Sequence, residues 1–89
     1  MTGKQTQSYF FYILRCIDNT LYCGITTDLT RRVEEHNNHK KGAKYTKSRR
    51  PVELMYCEQH GSVQLAMKRE IQVKKWSKAQ KEKLLPLHE

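Results

Sequence analysis

The chain has 89 residues, with 17 Lys plus Arg against 9 Asp plus Glu and a net charge of +8. That length holds one small domain and excludes a second lobe for a large cofactor, and no apolar run approaches the ~20 residues of a membrane-spanning helix. The surplus of cations favours a polyanionic partner, nucleic acid foremost, through counterion release, although a merely soluble basic surface carries the same charge.

Residues 1–8 are polar and lack the apolar stretch of a signal peptide, so the expected location is the cytoplasm, with no membrane partner. Residues 9–17 (YFFYILRCI) are aromatic and β-branched and read as a largely buried strand. Asp18-Asn19-Thr20 is a turn cluster, and residues 21–26 (LYCGIT) return as a second strand, giving a hairpin. Thr27 or Asp28 caps a helix running to about Asn37. Residues 38–50 form a basic loop with Lys40, Lys41, Lys44, Lys47, Arg49 and Arg50 and no acid. Pro51 precedes a third strand at 52–58, and Gly61-Ser62 opens a helix over 63–76. Ser77 with Gln80 reads as a capping box before a short last helix. The predicted order is β-β-α-β-α-α, an α+β fold with a three-stranded, mainly antiparallel sheet flanked by helices. One domain over 9–84 would have tails at 1–8 and 85–89. Cys16, Cys23 and Cys57 lack metal-type spacing and read as buried thiols.

Polar groups interrupt the apolar faces. Leu29, Arg32, Val33 and His36 share one face of the first helix, so Arg32 and His36 lie beside the core. Arg32 either snorkels at its edge or serves a site, and His36 is either a satisfied core histidine or a functional one. Val63, Ala66, Met67, Glu70 and Val73 share a stripe of the next helix. A carboxylate there must be paired or hold a metal, and Glu70 admits both readings. Tyr12 and Tyr22 lie on adjacent strands, where cross-strand neighbours approach each other.

These positions in order resemble the GIY-YIG nuclease superfamily. Tyr12 matches the tyrosine of its first motif, and Tyr22-Cys23-Gly24 its second. Arg32 falls on the family arginine, His36 on a histidine found in many members, Asn37 on the asparagine after it, and Glu70 on the metal-binding glutamate. The stretches YCGIT, GAKYTKSRRPVEL and REIQVKKWS are similar to those of the small stand-alone members. Phe10 and Phe11 depart from the glycine and isoleucine of the first motif. Ile25 stands where some members carry a lysine.

The resemblance implies a metal-dependent endonuclease hydrolysing DNA, on branched, flapped or damaged structures in repair or recombination. Glu70 would hold one Mg²⁺ or Mn²⁺. Arg32 would meet the phosphate, and Tyr12 or Tyr22 would take the proton of the attacking water with help from His36. A neighbouring cation must then lower the phenol from its usual pKa of about 10. Lys40, Lys41, Lys44, Lys47, Arg49 and Arg50 would grip the backbone, and Tyr45 would stack on an unpaired base or cover the core edge. A partner protein would supply specificity; a non-cleaving nucleic-acid-binding module and a basic interaction protein on the same fold are the other readings.

Overall fold

In the computed structural model, which describes residues 8–85, β1 (Tyr9–Arg15) and β2 (Leu21–Thr26) meet as the expected hairpin. Asn19 takes the left-handed conformation at the turn, with φ 69°, which Asn tolerates better than most residues. The Asp18 carboxylate accepts from the Thr20 amide at 3.2 Å and its hydroxyl at 2.6 Å. β1 stops at Arg15, short of the predicted end, and Ile17 is exposed.

The first helix, α1 (Leu29–Asn38), is capped by Asp28, whose side chain accepts from the Arg31 amide at 3.0 Å. The predicted loop needs correction. Lys44–Lys47 form a one-turn helix, α2, so the order is β-β-α-α-β-α-α. β3 (Glu53–His60) pairs antiparallel with the other side of β1, and the sheet order is β2-β1-β3. Opposite β3, Ile13 faces Tyr56 and Leu14 faces Leu54, so Met55 is an extra residue in the ladder. α3 (Val63–Lys74) carries Ser62 as its cap, and α4 (Lys78–Glu82) opens on the predicted Ser77–Gln80 capping box.

Central β1 explains its own composition. A strand paired on both edges and covered on both faces needs a continuous apolar run. Phe11 and Ile13 pack with Cys23, Met55, Val73 and Leu85 on the α3 side. Tyr12, Leu14, Cys16 and Val52 pack with Tyr22, Leu29 and Val33 on the α1 side. Each fully buried aliphatic or aromatic side chain contributes about 1.5–3 kcal/mol relative to exposure. Arg15 forks onto Glu82 at 2.8 and 2.9 Å and, with Lys78, holds that carboxyl down to about 2. This pins α4 to the end of β1.

Two expectations change. Met67 leaves the buried stripe of α3 and is 47% exposed, while Ala66 and Val73 are fully buried. One helical step of about 100° carries it past the sheet. Cys57 is exposed, unlike Cys16 and Cys23. It lies opposite Tyr12 on edge strand β3, out past the cover that α1 gives to β1. Of the terminal segments, residues 1–7 and 86–89 lie outside the described residues.

Candidate active site

The hairpin and α1 bring together four of the five predicted site residues. Tyr12 points from β1 into the space under α1, and its hydroxyl lies 2.9 Å from His36 Nε2. Tyr22 and His36 rings are 5.2 Å apart, and Tyr12 and Tyr22 rings 6.5 Å. Gly24 sits opposite Tyr12 in the ladder. A Cβ there would stand 2.5 Å from the Tyr12 hydroxyl and 2.7 Å from Cζ. Only a residue without a side chain lets the phenol lie across β2.

Arg32 borders the same phenol from α1. Its Nη1 donates to Glu35 Oε1 at 2.8 Å and to the Lys41 carbonyl at 2.9 Å. Arg31 also reaches Glu35, at 3.5 Å. Glu70 approaches from α3, close enough for its charge to act on the Tyr12 phenol. Its Oε2 pairs with Lys74 at 3.2 Å, and the side chain is 21% exposed. No cluster of three His, Cys, Asp or Glu able to hold a metal occurs among the described residues.

Burial sets the electrostatics. It pushes the Tyr12 phenol up to about 12, against the opposing pull of Arg32. The requirement that a cation depress this phenol is therefore not met by the protein groups alone. Burial, then the Arg32 charge, pushes His36 down to about 4. His36 is fully buried and neutral at pH 7, and its Nδ1 lies 2.8 Å from Thr46 Oγ1.

A pH dependence of stability follows. The unfolded imidazole titrates near 6.5 and the folded one near 4. Below 6.5 the unfolded chain binds a proton that the folded chain refuses. Stability present above pH 6.5 is therefore lost as pH falls toward 4, by about 3 kcal/mol. Urea unfolding at pH 7 and pH 4.5 should show that loss, and His36→Gln should flatten it.

The basic segment divides in two. Lys40, Lys41, Lys44 and Lys47 are exposed. Arg50 instead donates to the carbonyls of Glu35, His36 and His39, closing the C-terminal end of α1. Arg49 donates to Asp18 at 3.0 Å and the Tyr45 carbonyl at 2.8 Å, and it lies 4.0 Å over the Tyr45 ring. Tyr45 stacks on Tyr22 with centroids 5.9 Å apart, so its ring is engaged within the fold. Asn37 makes a two-way bond to Val52, accepting from its amide at 2.7 Å and donating to its carbonyl at 3.1 Å. Thr46, Gly42 and Asn37 support the site without having been singled out for these contacts by sequence. A groove of about 640 Å³ beside α1, lined by Leu29, Val33, Asn37 and Leu54 among others, contains none of the five site residues.

A family model described as the GIY-YIG catalytic domain matches residues 8–83. The UPF0213 protein of Syntrophus aciditrophicus is 51% identical over 76 residues, covering 85% of this chain and 87% of that protein. The UPF0213 protein YazA of Bacillus subtilis is 47% identical over 78 residues, covering 88% and 78%. Among solved structures, the solution structure of a UPF0213 protein from Bacillus halodurans is 42% identical with a TM-score of 0.56, covering 86% of this chain and 81% of that one. The solution structure of the protein EF2693 from E. faecalis is 38% identical with a TM-score of 0.61, covering 100% and 98%.

Proposed function

This chain belongs to the GIY-YIG catalytic-domain family, and from that premise we propose that it is a metal-dependent endonuclease hydrolysing DNA phosphodiester bonds. The observation that carries the reading is the meeting of Tyr12, Tyr22, Arg32 and His36 at one point beside Glu70, on a chain of net charge +8.

The donor set fits a hard, hydrated cation. Glu70 offers one half-buried carboxylate, and among the described residues no donor reaches its second oxygen. Mg²⁺ or Mn²⁺ accepts one carboxylate together with waters and phosphate oxygens, whereas a zinc site needs three or four protein ligands. When bound, such a cation supplies Lewis acidity at the scissile phosphate.

The protein groups do the rest. Among the described residues, the Arg32 bonds to Glu35 and to the Lys41 carbonyl both use Nη1, which leaves the remainder of its fork for Tyr12 and a phosphate oxygen. Tyr12 serves as the water's proton acceptor without becoming a phenolate. As one proton arrives from water at the phenol oxygen, the phenol's own proton passes to His36 Nε2, 2.9 Å away. The water O–H bond breaks and an N–H bond forms on the imidazole. A phenol with a pKa of about 12 can take part in this way because its charge never changes. Tyr22 packs beside both groups and positions them. Lys40, Lys41, Lys44 and Lys47 grip the flanking phosphates without reading bases. Arg49, Arg50 and Tyr45 hold that segment in place.

The test is direct. Supercoiled, single-stranded and branched DNA are incubated with the purified chain and Mg²⁺ or Mn²⁺, then with chelator. Cutting is expected with metal and none with chelator. Arg32→Ala, which also controls for contaminating nuclease, is expected to cut about 10²–10³-fold more slowly. Salt-sensitive DNA retention without cutting would instead mark a non-cleaving binding module, and neither activity would leave a basic interaction protein.

A further inference from the structure

His36 has a second partner. Its Nδ1 lies 2.8 Å from Thr46 Oγ1, and that hydroxyl donates to the Ala43 carbonyl at 2.9 Å. Thr46 and His36 are both fully buried and Tyr12 is 1% exposed, so water does not compete for these bonds. Thr46 lies on α2, which Gly42 brings against α1. A Cβ at Gly42 would stand 2.7 Å from the Glu35 carbonyl oxygen and 2.9 Å from His36 Cα.

We propose that Thr46 is a positioning residue that selects the tautomer of His36. A hydroxyl has one proton. With that proton directed to the Ala43 carbonyl, Thr46 Oγ1 offers only lone pairs to the imidazole. Nδ1 then carries the ring proton and donates to Thr46, and Nε2 is bare and accepts from the Tyr12 hydroxyl. The opposite tautomer would turn the Thr46 proton onto Nδ1, and the Ala43 carbonyl would lose its 2.9 Å hydroxyl bond and keep the Thr46 and Lys47 amides at 3.1 and 3.2 Å. It would also place an N–H against the Tyr12 oxygen and abolish the path for its proton. The Ala43 amide also points at Nδ1, at 3.5 Å, a contact too long to outweigh the Thr46 bond. The tautomer is thus fixed by the group on the far nitrogen, as in buried histidines generally.

This inference rests on the endonuclease reading for its consequence but not for its test. Nitrogen-15 NMR of the imidazole at pH 7, with His36 assigned by its loss in His36→Gln, reads the tautomer in the uncut, metal-free protein. The expected spectrum has Nδ1 protonated and Nε2 bare. A protonated Nε2 in the wild type overturns the proposal whatever the chain does to DNA. Thr46→Val keeps the shape and removes the acceptor, so the two tautomers should mix or invert. Thr46→Ser should restore the original one. In the DNA-cutting assay, Thr46→Val should lower kcat by about 10–100-fold with DNA retention unchanged, and Thr46→Ser should recover it. Equal kcat in Thr46→Val and wild type, with an inverted tautomer, would also overturn it. A wild type that cuts nothing but shows the expected spectrum sinks the endonuclease reading and leaves the tautomer assignment standing.

Discussion

Glu70→Gln is expected to fold and bind DNA like the parent and to cut it at least ~10³-fold more slowly, a loss of about 4 kcal/mol in transition-state stabilisation. The substitution keeps the shape of the side chain and removes its charge. A neutral amide no longer holds a hard divalent cation against competing water. The stability effect should be small. The only partner of the carboxylate among the described residues is Lys74 at 3.2 Å, itself 53% exposed, and exposed pairs are worth about 0–1 kcal/mol. Three measurements separate the causes. Denaturant midpoints report the fold, filter retention reports DNA binding, and electron paramagnetic resonance of Mn²⁺ reports the metal without any substrate. Undiminished cutting by Glu70→Gln would remove Glu70 from the chemistry.

Gly24→Ala should be nearly as damaging, by a different route. The added methyl would sit 2.5 Å from the Tyr12 hydroxyl, well inside contact distance. Tyr12 has nowhere to retreat, because β1 is paired on both sides and its ring is buried. Either the two strands part or the phenol leaves His36. The expected cost is about 1–3 kcal/mol of stability. Cutting should fall by about 10²–10⁴-fold, the usual worth of a positioned proton acceptor. Gly61→Ala is the matched control, since a Cβ there meets nothing within 4 Å. If Gly24→Ala cuts at the parental rate while Gly61→Ala also does, Tyr12 does not need its seat on β2.

Much of the candidate site was legible in the sequence because polar side chains broke apolar patterns. Arg32 and His36 stood where the 3.6-residue period of α1 called for carbon, and Tyr12 and Tyr22 stood on adjacent apolar strands at the spacing of the family motifs. What patterning misses is contact between segments that share no period. α2 is one turn of four residues, too short to show any repeat. Arg49 and Arg50 read as free cations because nothing local reveals the carbonyls and the carboxylate they meet across the fold. Thr46 carries no signal of its own: ten residues and a turn separate it from His36. The balance at Tyr12 could not be read in advance. A useful base required a neighbouring cation to depress the phenol, and in the fold burial outweighs Arg32. Desolvation depends on everything packed around a group, and sequence shows only its chain neighbours.

The central place of β1 has a further bearing on how this molecule ages and fails. Its amides are hydrogen-bonded to β2 on one side and β3 on the other, and such strands open only when the whole domain does. The Tyr12 phenol is rooted in the last part of the chain to loosen. The lysines, by contrast, project from a segment at the periphery. Lys44 and Lys47 nevertheless share α2 with buried Thr46, so loosening that turn would release His36 Nδ1 while the phenol keeps its place in the ladder.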